Sequence, residues 1–161
     1  MRLRRIVSGG QTGVDRAALD AALRAGVPVG GWCPAGRRAE DGPIPASYPL
    51  TETPTPRYAQ RTAWNVRDSD GTLILHQRPL AGGTARTQQE AVRRGRPCRL
   101  VCVGANGSHQ PRTVHTALQW MAMHAVQVLN VAGPRASEEP GIYAAAFALV
   151  KSLCQQARPP V

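Results

Sequence analysis

The chain has 161 residues, 42% of them hydrophobic and only 4% aromatic, with a formal charge of +10. That length fits one domain burying roughly 70% of its unfolded surface, and the shortage of rings leaves a core of Val, Leu, Ile and Ala, the composition of buried parallel strands and the helices over them. The positive charge is almost wholly arginine, scattered from Arg2 to Arg158 with no run denser than Arg93-Arg94-x-Arg96, so nucleic acid stands as an alternative partner and not the favoured one.

The first apolar run, Leu3 to Ser8, is too short before its glycines for a signal peptide. It reads as a strand ending in the turn Ser8-Gly9-Gly10-Gln11-Thr12-Gly13. Asp15 to Ala25 then places Ala18, Leu19, Ala22 and Leu23 on one stripe, with Gly26 as a stop, which predicts a helix. Val27 to Trp32 reads as a second strand. Pro34 to Pro56 is dense in proline and glycine and reads as an irregular lid of about 25 residues. Tyr58 to Arg67 predicts a helix, Thr72 to Leu75 a buried strand, Gly82 to Arg94 a helix and Cys98 to Val103 a strand. A helix over Thr113 to His124, a strand over Val126 to Val131 and a helix over Pro140 to Gln156 complete the order βαβαβαβαβα. Such alternation predicts an α/β, doubly wound, mostly parallel five-stranded sheet with helices on both faces. No repeat or linker divides residues 1–161.

Cys33, Cys98, Cys102 and Cys154 have no CxxC spacing, which points to a reduced, cytoplasmic compartment. Cys98 and Cys102 fall on one face of a predicted buried strand, as core packing requires. The four histidines form no metal-ligand pattern with an acidic partner, so no metal centre is expected.

In an open parallel sheet, ligands bind beyond the carboxyl ends of the strands. The loops Ser8 to Gly13, Pro34 to Arg38, Gly82 to Thr87, Gly104 to Ser108 and Gly133 to Arg135 therefore form one neighbourhood. In the first, Gly9, Gly10 and Gly13 permit a tight turn whose free N–H groups, with Gln11 and the Thr12 hydroxyl, suit an anion. Asp15 suits the positive end of the helix, and Arg16 either reaches a phosphate or faces solvent. Gly82-Gly83-Thr84-Ala85-Arg86-Thr87 repeats the arrangement at a second helix start, giving Gly82, Gly83, Thr84 and Thr87 as candidates. Gly36, Arg37, Gly133 and Arg135 extend the set, with Arg37 expected to clamp phosphate and draw the lid closed. Glu90 is the candidate acid/base, a cap or a salt-bridge member being the alternative. The Walker lysine is absent. The expected ligand is a phosphorylated small molecule of nucleotide type.

The blocks Ile6 to Arg16, Gly31-Trp32-Cys33-Pro34-x-Gly36-Arg37, Arg61-Thr62-x-Trp64-Asn65-Val66-Arg67-Asp68-Ser69-Asp70, Gly82-Gly83-Thr84 and Leu129 to Arg135 together resemble the molybdenum carrier protein family. That family resembles the wider SLOG superfamily of Rossmann-like nucleotide-sensing proteins, which includes the lysine-decarboxylase-like phosphoribohydrolases. The resemblance implies a Rossmann-like fold with a nucleotide or a molybdopterin-type pterin phosphate at the glycine loops. The related hydrolases carry PGGxGTxxE. Here Ala81 replaces the proline and Thr87 lies one residue further from the glycine pair, although Glu90 is retained. A nucleotide N-glycosidase, with Arg86 or Arg135 on the phosphate, is thus the enzymatic alternative to a binding or carrier protein. A small domain of this type is also expected to form a homo-oligomer.

Overall fold

The computed structural model describes residues 2–104 and 111–157. Its central sheet holds β1 (Arg5–Val7), β2 (Val29–Gly30), β7 (Gly71–His76), β8 (Cys98–Cys102) and β9 (Val128–Ala132), in the spatial order β2-β1-β9-β7-β8. Every pairing in it is parallel. The chain steps from β1 outward to β2, resumes on the far side with β7 and β8, and returns to insert β9 between β1 and β7. The reversal of winding therefore falls above β9, where the connections leaving β1 and β7 diverge and open a crevice.

Helices α1 (Val14–Arg24), α4 (Pro111–Met123) and α5 (Ile142–Gln156) cover one face, and α2 (Tyr58–Arg67) and α3 (Gly82–Arg93) the other. The faces differ in chemistry. Small buried residues Ala17, Ala18, Ala21 and Ala22 let α1 approach Ala145, Ala146, Leu149 and Leu153 of α5 closely, and this layer holds most of the apolar core. The buried positions of α2 and α3 are Asn65, Val66, Thr84, Thr87 and Ala91. A face packed with so little hydrocarbon does not close over the sheet, so the crevice opens on that side.

The predicted second strand is divided. Only Val29–Gly30 joins the main sheet; Gly31, at φ 123°, turns the chain so that β3 (Trp32–Cys33) pairs instead with β6 (Thr51–Glu52). The segment read as an irregular lid is built from a 3₁₀ turn at Ala35–Arg37, the hairpin of β4 (Arg38–Ala39) with β5 (Gly42–Pro43), and β6. It buries Ile44 and Leu50 against Leu19 and Cys33 in a second apolar cluster. The expectation of a buried strand at Cys98–Cys102 is also corrected: β8 is the sheet's edge, and Cys102 is exposed while Cys98 is half-buried. Burial pushes the Cys98 thiol up to about 11. Of the predicted loop Gly104 to Ser108, residues 105–108 lie outside the described residues. No described helix is long and apolar enough to cross a membrane.

Candidate functional site

A cavity of about 150 Å³ lies in this crevice. Gly9 and Gln11 contribute from the β1–α1 connection, Asp15 from the first turn of α1, Tyr58, Arg61, Thr62 and Asn65 from α2, and Gly83, Thr84, Arg86 and Thr87 from the start of α3. Asn130 to Gly133 form the end of β9, and Arg135 and Glu138 the connection after it. The first residues of the β7–α3 connection are held by Glu139, whose buried carboxylate accepts the backbone N–H groups of Gln77 at 2.9 Å and Arg78 at 3.0 Å. No side chain among the described residues caps α3, so its first N–H groups remain available at the positive end of the helix.

Arg61 crosses the crevice from α2. Its Nη1 donates to the Gly9 carbonyl at 3.0 Å and lies 3.5 Å from Asp15 Oδ2. The side chains of Arg61 and Asp15 are only 11% and 10% exposed, and buried Arg61 Nε has no acceptor among the described residues. Burial raises the Asp15 carboxyl above its ordinary value, against the opposing pull of Arg61 and of the Gln11 N–H, which Asp15 accepts at 3.2 Å. Burial likewise lowers the Arg61 guanidinium, with Asp15 opposing. At the mouth, the guanidinium carbons of Arg38, Arg61 and Arg135 surround the Tyr58 ring at 4.5, 5.3 and 5.7 Å. Three cations on one aromatic ring gather positive charge at the entrance. Arg135 also pairs with Glu138 at 3.2 Å and lies 4.0 Å from Glu40.

The structure brings Gly9, Gln11, Gly83, Thr84, Thr87, Gly133 and Arg135 to the cavity. Thr87 turns its hydroxyl back to the Gly83 carbonyl at 2.9 Å. Gly10, Thr12, Gly13 and Arg16 stand outside the lining, with their contacts spent on the protein itself. Gly10 lies under Leu50 and Ile44, and Gly13 against the Pro134 carbonyl. The Thr12 hydroxyl donates to Glu40, and Arg16 grips Asp41 and the Gly10 carbonyl. Gly82 flanks open space beside the cavity.

Arg37 is placed differently from the expected clamp. It donates to the carbonyls of Ile44, Leu50, Pro45 and Tyr48 and so braces its own segment, while Gly36 donates its N–H to Glu52. Glu90 is also off the cavity, bound to Arg93 at 2.7 Å and Arg94 at 3.1 Å. The salt-bridge alternative describes it, and the acid/base assignment loses its geometry. Asp15, Tyr58, Arg61, Asn65, Asn130 and Glu138 were not among the candidates. The available signal was the block Arg61 to Asp70, which together with Tyr58 supplies the whole α2 side of the cavity.

The crystal structure of the "Putative molybdenum carrier protein" of Syntrophus aciditrophicus SB is similar to this chain, with 44% identity over 94% of each chain and a TM-score of 0.89. No curated protein matches the sequence. A family model described as the circularly permutated YpsA SLOG family matches residues 6–154, in agreement with the superfamily implied by the five motif blocks. The doubly wound parallel sheet and that match lead to one conclusion: the chain belongs to the circularly permutated YpsA SLOG family.

Proposed function

We propose that this protein binds or carries a phosphate-bearing small molecule, a nucleotide-like ligand or a pterin phosphate, with the phosphate seated in the crevice above β9. The observation that carries the reading is Arg61, a buried guanidinium whose Nε has no partner among the described residues, in a cavity that the uncapped start of α3, Arg86 and Arg135 also line. A buried cation with an unmet donor is costly unless a ligand completes it. Because pockets for whole cofactors run to roughly 300–1,000 Å³, a space of about 150 Å³ suits the phosphate and its nearest atoms. The rest of a larger ligand would lie over the mouth beside Tyr58.

The neighbour's name speaks of molybdenum, and the donor set here favours an oxyanion or phosphate handle over direct metal ligation. Among the described residues no group of three or more His, Cys, Asp or Glu is placed to hold a metal ion, whereas N–H groups and guanidiniums are natural partners of phosphate oxygens. A molybdopterin-type cargo would therefore be gripped by its phosphate. The N-glycosidase alternative would require Asp15 in place of Glu90, since Asp15 is the buried carboxylate that lines the cavity.

Calorimetric titration with inorganic phosphate and a panel of nucleoside monophosphates tests the reading. At least one member should bind the wild type, and Arg135→Ala should weaken it roughly tenfold to a hundredfold, the scale of one charged hydrogen bond. Failure of the wild type to bind any of them at millimolar concentration, together with purified protein free of phosphorylated ligand by mass spectrometry, would overturn it.

A further inference from the structure

We propose that Asp15 is the proton-carrying, specificity-determining residue of the crevice, so that a tetrahedral dianion engaging Arg61 is taken up together with one proton on Asp15. The inference rests on the crevice being an anion site.

Its basis is the sharing of one cation. Arg61 Nη1 already serves the Gly9 carbonyl and faces Asp15 Oδ2 at 3.5 Å, and Nε has no partner among the described residues. An anion that satisfies Arg61 both draws on the charge Asp15 depends on and adds a like charge beside a buried carboxylate. Two such charges a few ångströms apart in a desolvated site do not both persist, and the readier group to neutralise is the one burial already disfavours as an anion. The proton comes from the buffer and bonds to a carboxylate oxygen of Asp15. That group changes from acceptor to donor and can hydrogen-bond the incoming oxyanion. A monoanion imposes less of this demand, so the site should favour dianions increasingly as pH falls.

The surroundings of Asp15 leave few other acceptors for the proton. Ser8 and Gln11 of its own loop are neutral, and Arg16 on α1 is committed to Asp41. Across the cavity stand Arg86 from α3 and Arg135 with Glu138 from the β9–α5 connection. Glu138 is 45% exposed and paired with Arg135, so solvent screens it from a new neighbour. Among the described residues no histidine lines the cavity.

Sulfate is a suitable probe because its own charge is constant between about pH 5.5 and 8, so protons taken up belong to the protein. Titration of the full chain in two buffers of different ionisation enthalpy should show uptake of up to about one proton per sulfate, with affinity rising by up to about tenfold for each unit the pH falls. Asp15→Asn keeps an acceptor for the Gln11 N–H and should abolish both uptake and pH dependence, binding sulfate at pH 8 at least as tightly as the wild type. Glu138→Gln should retain both. Independently of any variant, the ¹³C carboxyl resonance of Asp15 in the wild type should move towards the protonated value on saturation with sulfate. Sulfate binding without proton uptake, with uptake that survives in Asp15→Asn, or with an unmoved Asp15 resonance overturns the inference and leaves the anion site standing. No sulfate binding at any pH overturns the inference, while the anion site stands or falls on the phosphate and nucleotide titration.

Discussion

The two glycine-rich loops look alike as sequence and do opposite things in the structure. In Gly9-Gly10-Gln11-Thr12-Gly13 the space beside each glycine is filled by the protein. A Cβ on Gly10 would sit 2.7 Å from Leu50 Cδ1 and 2.8 Å from Ile44 Cδ1, and one on Gly13 would overlap the Pro134 carbonyl while approaching the Ala136 nitrogen to 2.8 Å. A Cβ on Gly82 or Gly83 would meet no non-neighbouring atom of the described residues within 4 Å. The first loop needs glycine so that α1, the 34–52 segment and the β9–α5 connection can meet. The second keeps a helix start bare on the edge of a cavity. A glycine pattern thus signals close approach, and only the fold says whether protein or ligand is what approaches.

Substituting valine in each loop should separate these roles by a wide margin. Gly13 has φ 79° and is hemmed in by backbone that cannot rotate away, so Gly13→Val should cost more than about 3 kcal/mol and yield little folded protein. Gly83→Val places its side chain in open space inside a helix, where valine and glycine propensities differ by only about 0.5 kcal/mol. Its melting temperature should match the wild type while affinity for phosphate or a nucleotide falls at least tenfold. Thermal melts beside titrations check the contrast, and a stable Gly13→Val that has merely lost binding would reverse the assignment of the loops.

A smaller effect is expected from the segment that packs on the first loop. Arg37 ties the carbonyls of Ile44, Pro45, Tyr48 and Leu50 together at 2.8–3.3 Å, and two of these residues cover Gly10. Arg37→Ala should destabilise by about 1–3 kcal/mol and speed proteolytic cleavage between residues 38 and 52 whether or not ligand is present. Protection by ligand equal to that of the wild type would mean the segment is held by other contacts. Protection lost in this variant alone would restore Arg37 as a ligand clamp.

The strands were readable because parallel strands buried on both faces appear as short apolar runs, and β7 is Gly-Thr-Leu-Ile-Leu-His with only the histidine half-exposed. Strand order was not readable. The exposure of Leu100 and Cys102 follows from β8 lying at an edge, which no local pattern encodes. The same gap hid half the site. Periodicity identifies Tyr58–Arg67 as a helix, but its Arg61 becomes a cavity-lining residue only because α2 packs over Gly9, 52 positions away in the chain. The segment after Cys33 escaped because its order comes from two-residue strands and from Arg37 at φ 55°, a left-handed conformation that non-glycine residues seldom adopt.

The smallest expected effect, and the one that bears most directly on the enzymatic alternative, is at Glu90. On α3 the buried positions are Thr84, Thr87 and Ala91. Glu90 stands to one side of that row, its carboxylate turned one helical turn onward to Arg93 and Arg94 instead of back towards the cavity. Burial works to raise its carboxyl, but the hydrogen bonds and charges of the two arginines prevail and hold it below its ordinary value. A carboxylate kept ionised by two partners is a poor proton donor at neutral pH, and one outside the cavity has no substrate atom to serve. Glu90→Gln should therefore leave nucleotide affinity within about twofold of the wild type. Any base release from a nucleoside monophosphate should be unaltered, and stability at pH 7 should fall by no more than about 1 kcal/mol, as expected for intrahelical pairs of this kind. Because the folded carboxyl titrates below its unfolded value, that stability is fully present above about pH 4.3 and is lost as the pH drops through the folded value. The melting temperatures of wild type and Glu90→Gln should accordingly differ slightly at pH 7 and converge in acid. A tenfold loss of base release in Glu90→Gln, with unchanged melting behaviour, would instead place this carboxylate at the substrate and bring back the hydrolase reading.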